Sequence, residues 1–231
     1  MTFADEVLSF QEKLSNFKIG LPKGYTLINP YSGVNKILVK QVSSIFYKKY
    51  YDDNRKRRLI IGSSPARRGT AITEIPFEDA EDIAKETGLS PAGFHISKAS
   101  SSFLKSIMTE YGGKPKFYQN FYLSFVFPLG ISRTNSNNHE VNCNFYESSQ
   151  LRELLTPYIK TFLEAQLNLG IDTSVCYCIG SGDNYKFLSK INDSCGFFKE
   201  IIPLEHPRFI TQYNSKNVEM YKQKYISALT K

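Results

Sequence analysis

Apolar residues recur at Phe3, Val7, Phe10, Leu14 and Phe17, and this three-to-four-residue spacing predicts an amphipathic helix over residues 3–17. A second helical pattern covers residues 33–51, with Val34, Ile37, Leu38, Val42, Ile45 and Phe46 placed on one side. Between them, residues 21–30 carry two prolines and two polar turns and read as a connector. The run DDNRKRR at 52–58 reads as a charged turn, either a solvated loop or an edge that contacts phosphates. Four short apolar runs follow, at 59–62, 121–129, 174–180 and 197–204, each ending in turn residues. Helical stretches separate them. The clearest spans 148–169, with Leu151, Leu154, Leu155, Tyr158, Ile159, Phe162 and Leu163 at helical spacing. Ser148 or Ser149 suits its N-cap, and Gly170 suits its stop. Shorter helices are expected at 184–191 and 218–229.

Strands alternating with helices predict an α/β fold with a parallel sheet covered on both faces. No linker, repeat or low-complexity tract interrupts the chain. One domain over residues 1–231 is therefore expected, with 1–58 a helical lead-in packed on the same core. A parallel sheet puts its strand exits on one edge, where ligands bind in open α/β folds. The exits at 59–79 and 205–208 are thus expected to face each other across one cleft, although they are far apart in sequence.

Composition narrows the partners. The 231 residues, 41% of them hydrophobic, suffice for an ordinary core. A formal net charge of +7 favours a polyanionic partner without identifying it. No apolar run approaches the ~20 residues needed to span a bilayer. The N-terminal residues carry no signal-peptide pattern. A cytoplasmic protein with no membrane association is expected. The four cysteines, Cys143, Cys176, Cys178 and Cys195, include no CxxC pair. Cys176 and Cys178 alternate on a strand and share a face, which fits buried reduced thiols better than a metal or redox site.

Candidate chemistry gathers at the strand exits. The loop GSSPARRG at 62–69 lacks the lysine and glycine spacing of a phosphate-binding P-loop, and it lacks GxGxxG. Ser63 and Ser64 can hold a water or accept a hydrogen bond, or can simply stabilise the turn. Phe77, following Pro76, is either a stacking platform for a flat ring or a core residue. His206 follows the last strand and can donate a hydrogen bond to a developing anion. Arg208 beside it can contact a phosphate or enter a duplex. Asn144 lies beyond the asparagine-rich loop at 135–138 and carries both a donor and an acceptor, so it can read the edge of a base. His95 and His139 read as surface or loop residues.

Taken in order, these segments resemble the uracil-DNA glycosylase superfamily, in particular the bacterial relatives of the single-strand-selective monofunctional enzymes. The run GSSPARRGTAITEIPF at 62–77 is similar to a first motif of the form GxNPGxxGxxxTGxPF. Pro128-Leu129-Gly130 is similar to a PLG segment, Asn144-Phe145-Tyr146 to an N-[FY]-Y element, and His206-Pro207-Arg208 to a His-Pro motif. The resemblance runs from about Pro30 to the C-terminus. Ser64 stands where the family places its catalytic Asn, and Ala66 and Glu74 replace glycines. Phe125 falls where the family has a base-reading Asn, so either Asn144 reads the base or the specificity differs.

The resemblance implies a three-layer α/β/α fold around a mostly parallel four-stranded sheet. It also implies excision of uracil or another deaminated base, flipped out of single- or double-stranded DNA, by a monomer without metal or cofactor. His206 would stabilise the departing base, and Ser64 would position the attacking water. Ser63, Phe77 and Asn144 would bind the base, Phe77 by stacking. Arg67, Arg68 and Arg208 would hold the DNA backbone or fill the gap left by flipping. Two other readings stay open. One is a DNA-binding or damage-sensing module without turnover, which Ser64 favours. The other is a hydrolase of free nucleosides or nucleotides on the same scaffold.

Overall fold

In the computed structural model, which describes residues 1–90 and 98–231, the chain opens with α1 (Phe3–Ser15). Thr2 and Asp5 close a reciprocal capping box at its start, satisfying two N–H groups that the first turn leaves free. Next come β1 (Tyr25–Ile28), α2 (Lys36–Tyr51), β2 (Arg57–Gly62), α3 (Thr70–Thr73) and α4 (Ala80–Thr87). The helices α5 (Lys98–Tyr111) and α6 (Lys114–Asn120) lead to β3 (Phe121–Phe125), β4 (Gly130–Thr134) and β5 (Glu140–Cys143). The chain continues through α7 (Ser149–Leu167), β6 (Ile171–Ile179), α8 (Asp183–Cys195) and β7 (Glu200–Leu204). It ends with α9 (Pro207–Tyr213) and α10 (Val218–Leu229). His95 lies outside the described residues.

The main sheet has the order β3-β2-β6-β7, and every neighbouring pair is parallel. Side-chain alternation along β6 shows how it is covered. Tyr177 points to one face, where its hydroxyl donates to the Ala228 carbonyl of α10 at 3.1 Å. Cys178 points to the other, where the Asn184 amide of α8 donates to its sulfur at 3.3 Å. From α7, the Gln166 amide donates to the Phe125 carbonyl at 3.1 Å. The expected three-layer α/β/α arrangement is therefore present, with a four-stranded parallel sheet at its centre. Among the described residues no helix is long and apolar enough to cross a membrane.

Three local expectations need correction. Residues 21–30 are not only a connector, because they contain β1. This strand pairs antiparallel with β4, which pairs with β5, making a second, three-stranded sheet. Four residues, three half-buried and one exposed, are too short a pattern to announce a strand, and the partner lies about a hundred residues away. Gly130 in β4 is required there: a Cβ would come within 2.8 Å of the Ala71 Cβ and 3.1 Å of the Ile28 Cβ.

The second correction concerns α2. Val34 lies before the helix and is fully exposed, and Ile37 and Ile45 also face solvent. Val42 and Phe46 are buried as expected, and Val39, Tyr47 and Tyr51 complete the buried face. The two tyrosines decide this. Their rings join a cluster with Phe3, Tyr118 and Tyr122 that outweighs exposed aliphatics.

The third is the charged run at 52–58. Arg57 and Arg58 belong to β2, and Arg57 is fully buried. Its guanidinium makes a two-pronged pair with Asp53, both N–O distances being 2.9 Å. Further bonds run to the carbonyls of Tyr118 at 2.7 Å and Arg55 at 3.1 Å. The Phe3 and Tyr51 rings lie 4.7 and 4.8 Å from the guanidinium carbon. A charge so enclosed is tolerated because its donors are engaged and aromatic rings cover it. Arg57 is therefore a structural clamp joining α1, α2 and α6 to the first core strand, neither solvated nor free to contact phosphate.

The thiols are unpaired: Cys143, Cys176 and Cys178 are buried, whereas Cys195 is partly exposed. Burial pushes the Cys143 and Cys178 thiols up to about 12, so both remain protonated.

Replacing Arg57 by Ala unpairs Asp53 and uncaps two carbonyls. We expect Arg57→Ala to lower unfolding free energy by about 1–3 kcal/mol, since two carbonyls lose their donor while the partly exposed Asp53 can still be hydrated. Urea denaturation checks this. A loss near zero would show that the clamp contributes nothing net.

Candidate active site

Strand register builds the site. Gly62 at the end of β2 pairs with Phe125 at the end of β3, and Ile61 pairs with Cys178 of β6. Ile179 of β6 pairs with Leu204 of β7. All four strands therefore end at one edge, and the loops that follow meet there. The β2–β3 ladder extends past both strands, with the Val126 and Phe127 N–H groups donating to the Gly62 and Ser63 carbonyls at 2.8 and 3.0 Å. Gly62 leaves room for Phe125: a Cβ on Gly62 would lie 3.0 Å from that ring.

Ser63 and Ser64 leave β2 side by side. Their hydroxyls both donate to the Asn144 side-chain oxygen, at 2.8 and 3.1 Å. The Asn144 amide nitrogen donates in turn to Glu147 at 3.2 Å, and its backbone N–H donates to the same oxygen at 2.8 Å. The carboxylate can only accept, so Glu147 dictates which end of the amide faces the serines. Each serine has thus spent its single proton on Asn144. What each serine still offers is oxygen lone pairs, able to accept from a water. The second N–H of the Asn144 amide has no hydrogen-bond partner among the described residues and remains able to donate.

Phe77 is half-buried and adopts φ +63°, a left-handed conformation that costs a non-glycine residue about 1–2 kcal/mol. Both flanks are pinned. Upstream, Glu74 is also left-handed at φ +56°, and its carbonyl accepts from the Tyr47 hydroxyl at 3.3 Å. Downstream, the buried Glu78 carboxylate accepts from the Tyr118 hydroxyl and the Lys114 ammonium, both at 2.6 Å. These anchors hold the ring of Phe77 with its centroid 6.3 Å from that of His206, tilted by 56°. Two segments separated by well over a hundred residues thus meet face to face.

His206 caps α9. Its Nδ1 accepts from the Arg208 backbone N–H at 3.0 Å, so in the neutral ring the proton sits on Nε2. The residue is exposed to solvent, yet neighbouring protein atoms crowd the ring. That burial, with the Arg208 charge second, lowers its pKa from 6.5 to about 4. The result is a neutral hydrogen-bond donor at physiological pH.

The arginines differ from one another. Arg67 is tied down: its N–H donates to the Asn142 side chain at 2.8 Å, and its guanidinium pairs with Glu140 at 3.1 Å. Arg68 is exposed and forms no ion pair among the described residues. Arg208 is exposed and donates to Gln212 at 2.9 Å.

Several supporting groups escape a sequence reading. Glu147 lies three residues after Asn144, a turn spacing that hints at the contact. Glu140 and Glu78 give no such local signal, since their partners lie far along the chain. Glu74 is buried, one of its carboxylate oxygens has no hydrogen-bond partner, and burial raises its pKa well above the ordinary value. It borders a cavity of about 10 Å³, room for one water, together with Tyr31, Tyr47, Ser124 and Phe125.

Comparison with known proteins adds the following. Residues 48–230 match the uracil DNA glycosylase superfamily. The crystal structure of wild-type SMUG2 from Pedobacter heparinus is similar to the whole chain: the TM-score is 0.91 at 40% identity, covering 100% of this chain and 97% of that one. No curated protein matches the sequence.

A lowered histidine pKa has a definite sign in stability. As pH falls through 6.5, the unfolded chain takes up a proton that folded His206 refuses until about 4. Stability from this group is therefore complete above about pH 7 and is lost progressively between 6.5 and 4. We expect the His206 ring signals to titrate with a midpoint near 4 in NMR spectra, and a midpoint near 6.5 would refute the packed environment.

Proposed function

The chain belongs to the uracil DNA glycosylase superfamily, and on that footing we propose that it hydrolyses the N-glycosidic bond of uracil or another deaminated base flipped out of DNA. The observation that carries this reading is the neutral His206 imidazole, tautomer-locked by Arg208, standing opposite the strained Phe77 ring. A flipped base stacks on Phe77 with its edge toward His206. When the bond from C1′ to the base breaks, the electron pair leaves with the base and the sugar becomes electron-poor. The Nε2–H of His206 donates to the base oxygen on which negative charge grows. A donor that is neutral beforehand fits a site that must exclude a standing positive charge.

Water completes the hydrolysis by adding to C1′; its proton passes to solvent, and the departed base anion takes one up, so that OH ends on the sugar and H on the base. Ser64 supplies lone pairs that accept from such a water and so fix its orientation, while Asn144 and Glu147 hold Ser63 and Ser64 in place. A serine hydroxyl is a poor general base, so the rate rests mainly on the stabilised leaving group. Arg68 and Arg208 are exposed and contact the DNA backbone; Arg67 joins them only by releasing Glu140. The protein works as a monomer, without lyase chemistry, and a cytoplasmic setting suits its unpaired thiols.

A second reading is a damage-binding module without turnover. It is favoured by the same hydrogen-bond chain, in which neither serine touches a carboxylate that could take the water's proton.

Single-turnover incubation with single- and double-stranded oligonucleotides carrying uracil, hypoxanthine or xanthine, followed by alkaline cleavage, separates the two. Cleavage at a modified base is expected. Binding without any cleavage would favour the module. His206→Ala should reduce turnover at least about a hundredfold with little loss of DNA affinity. Phe77→Ala should weaken binding of DNA with a flipped base by about 1–3 kcal/mol, measured by fluorescence titration, and unchanged affinity would return Phe77 to a purely structural role.

A further inference from the structure

Helices α7 and α8 both start at the edge of the sheet where the candidate site lies, and both run away from it. Between them is an open groove of about 810 Å³. Its upper end is Tyr146, which follows the Asn144 turn and whose phenol neighbours Ser63. The groove is therefore continuous with the candidate active site. Arg152 and Lys160 line it from α7, eight residues or about 12 Å apart along the helix. Lys186 and Lys190 line it from α8, about 6 Å apart. Two acidic groups, Glu153 and Asp183, also border it, leaving an excess of cations.

None of these four cations forms an ion pair among the described residues. Some cations elsewhere are matched by carboxylates, as with Lys49, Lys105 and Lys114 on the opposite helical layer. Half-buried Phe187 lies on the groove floor, and its ring packs at 4.7 Å from Phe145. Cations that track a backbone, interleaved with aromatic faces, are the physical signature of a single-strand nucleic-acid path.

We propose that the α7–α8 groove holds the single strand flanking the flipped nucleotide on one side, with Lys160, Lys186 and Lys190 on its phosphates and Tyr146 and Phe187 against its bases. This rests on the DNA reading of the neighbouring site, but it concerns binding rather than turnover. A groove that leaves the site in one direction must favour one flank, 5′ or 3′, over the other.

The test uses labelled single-stranded oligonucleotides carrying a tetrahydrofuran abasic-site analogue. The analogue has about eight nucleotides on its 5′ side, the same number on its 3′ side, or no flank; such lengths fall within the ~4–16 nucleotides a single-strand surface covers. The whole protein is compared with a Lys160→Ala, Lys186→Ala, Lys190→Ala triple variant across a salt series. We expect at least about tenfold weaker binding for one flanked probe only. For that probe, the slope of log affinity against log salt should become shallower by about 2, since each single-strand phosphate contact contributes roughly 0.7. The matching triple lysine-to-arginine variant should bind as the parent does.

Unchanged binding of every probe would overturn the proposal and leave the groove to an acidic protein partner. Equal losses on both flanks, or a loss on the unflanked probe, would overturn it too, because they report general charge and not a path. Flank-dependent binding by a protein that cleaves no base would sink the glycosylase reading and leave the groove standing. Cleavage without flank dependence would do the reverse.

Discussion

Strand β2 is hydrogen-bonded in parallel on both sides, to β3 and to β6, and the rest of the molecule depends on that pairing. Parallel strands must end together, so the exits of β2, β3, β6 and β7 share an edge. The loop after β2 carries the serines and, further on, Phe77. The exit of β7 carries His206. The other end of β2 is equally constrained. Arg57 begins the strand inside the core, and its bonds to Asp53 and Tyr118 fasten the helical lead-in to the sheet. One strand thus positions the site at its exit and anchors the helical layer at its start.

The site is held by polar groups that the chain has buried rather than by packing alone. Phe77 keeps an unfavourable backbone conformation because Glu78 is fixed downstream by Tyr118 and Lys114, and Glu74 upstream by Tyr47. A strained conformation persists only where its surroundings over-determine it. His206 follows a similar logic. A backbone N–H two residues on takes Nδ1 as acceptor, which leaves Nε2 as the donor. The serines are arranged by Asn144, and Asn144 by Glu147. In each case a candidate group is oriented by hydrogen bonds that involve a neighbouring residue.

Charge is distributed with the same economy. Cations of the α2, α4, α5 and α6 layer are largely matched by carboxylates, as in the Lys105–Asp79 and Lys114–Glu78 pairs. Arg68 and Arg208 beside the site and the four cations of the α7–α8 groove are among those left without an ion pair in the described residues. A polyanion approaching the sheet edge would meet these unpaired cations beside the candidate chemistry.

The sequence by itself was enough for the class of fold. Apolar runs alternating with helical spacing carry their own period, and burial enforces that period locally, so the four core strands and the long helix α7 were legible. The ordered motifs around Gly62, Pro128, Asn144 and His206 were enough to point to a family. What sequence left open were choices made by distant partners. The buried face of α2 was set by Tyr47 and Tyr51 meeting Tyr118 and Tyr122. The strand at Tyr25–Ile28 exists because β4 offers it an edge. Arg57 reads as solvated until Asp53, Phe3 and Tyr51 close around it. Nor could sequence tell that His206 is neutral, that Phe77 is strained, or that Asn144 is committed to two serines. Periodicity is a property of the chain, whereas protonation, strain and hydrogen-bond partnership belong to the enclosure, and only tertiary structure supplies that.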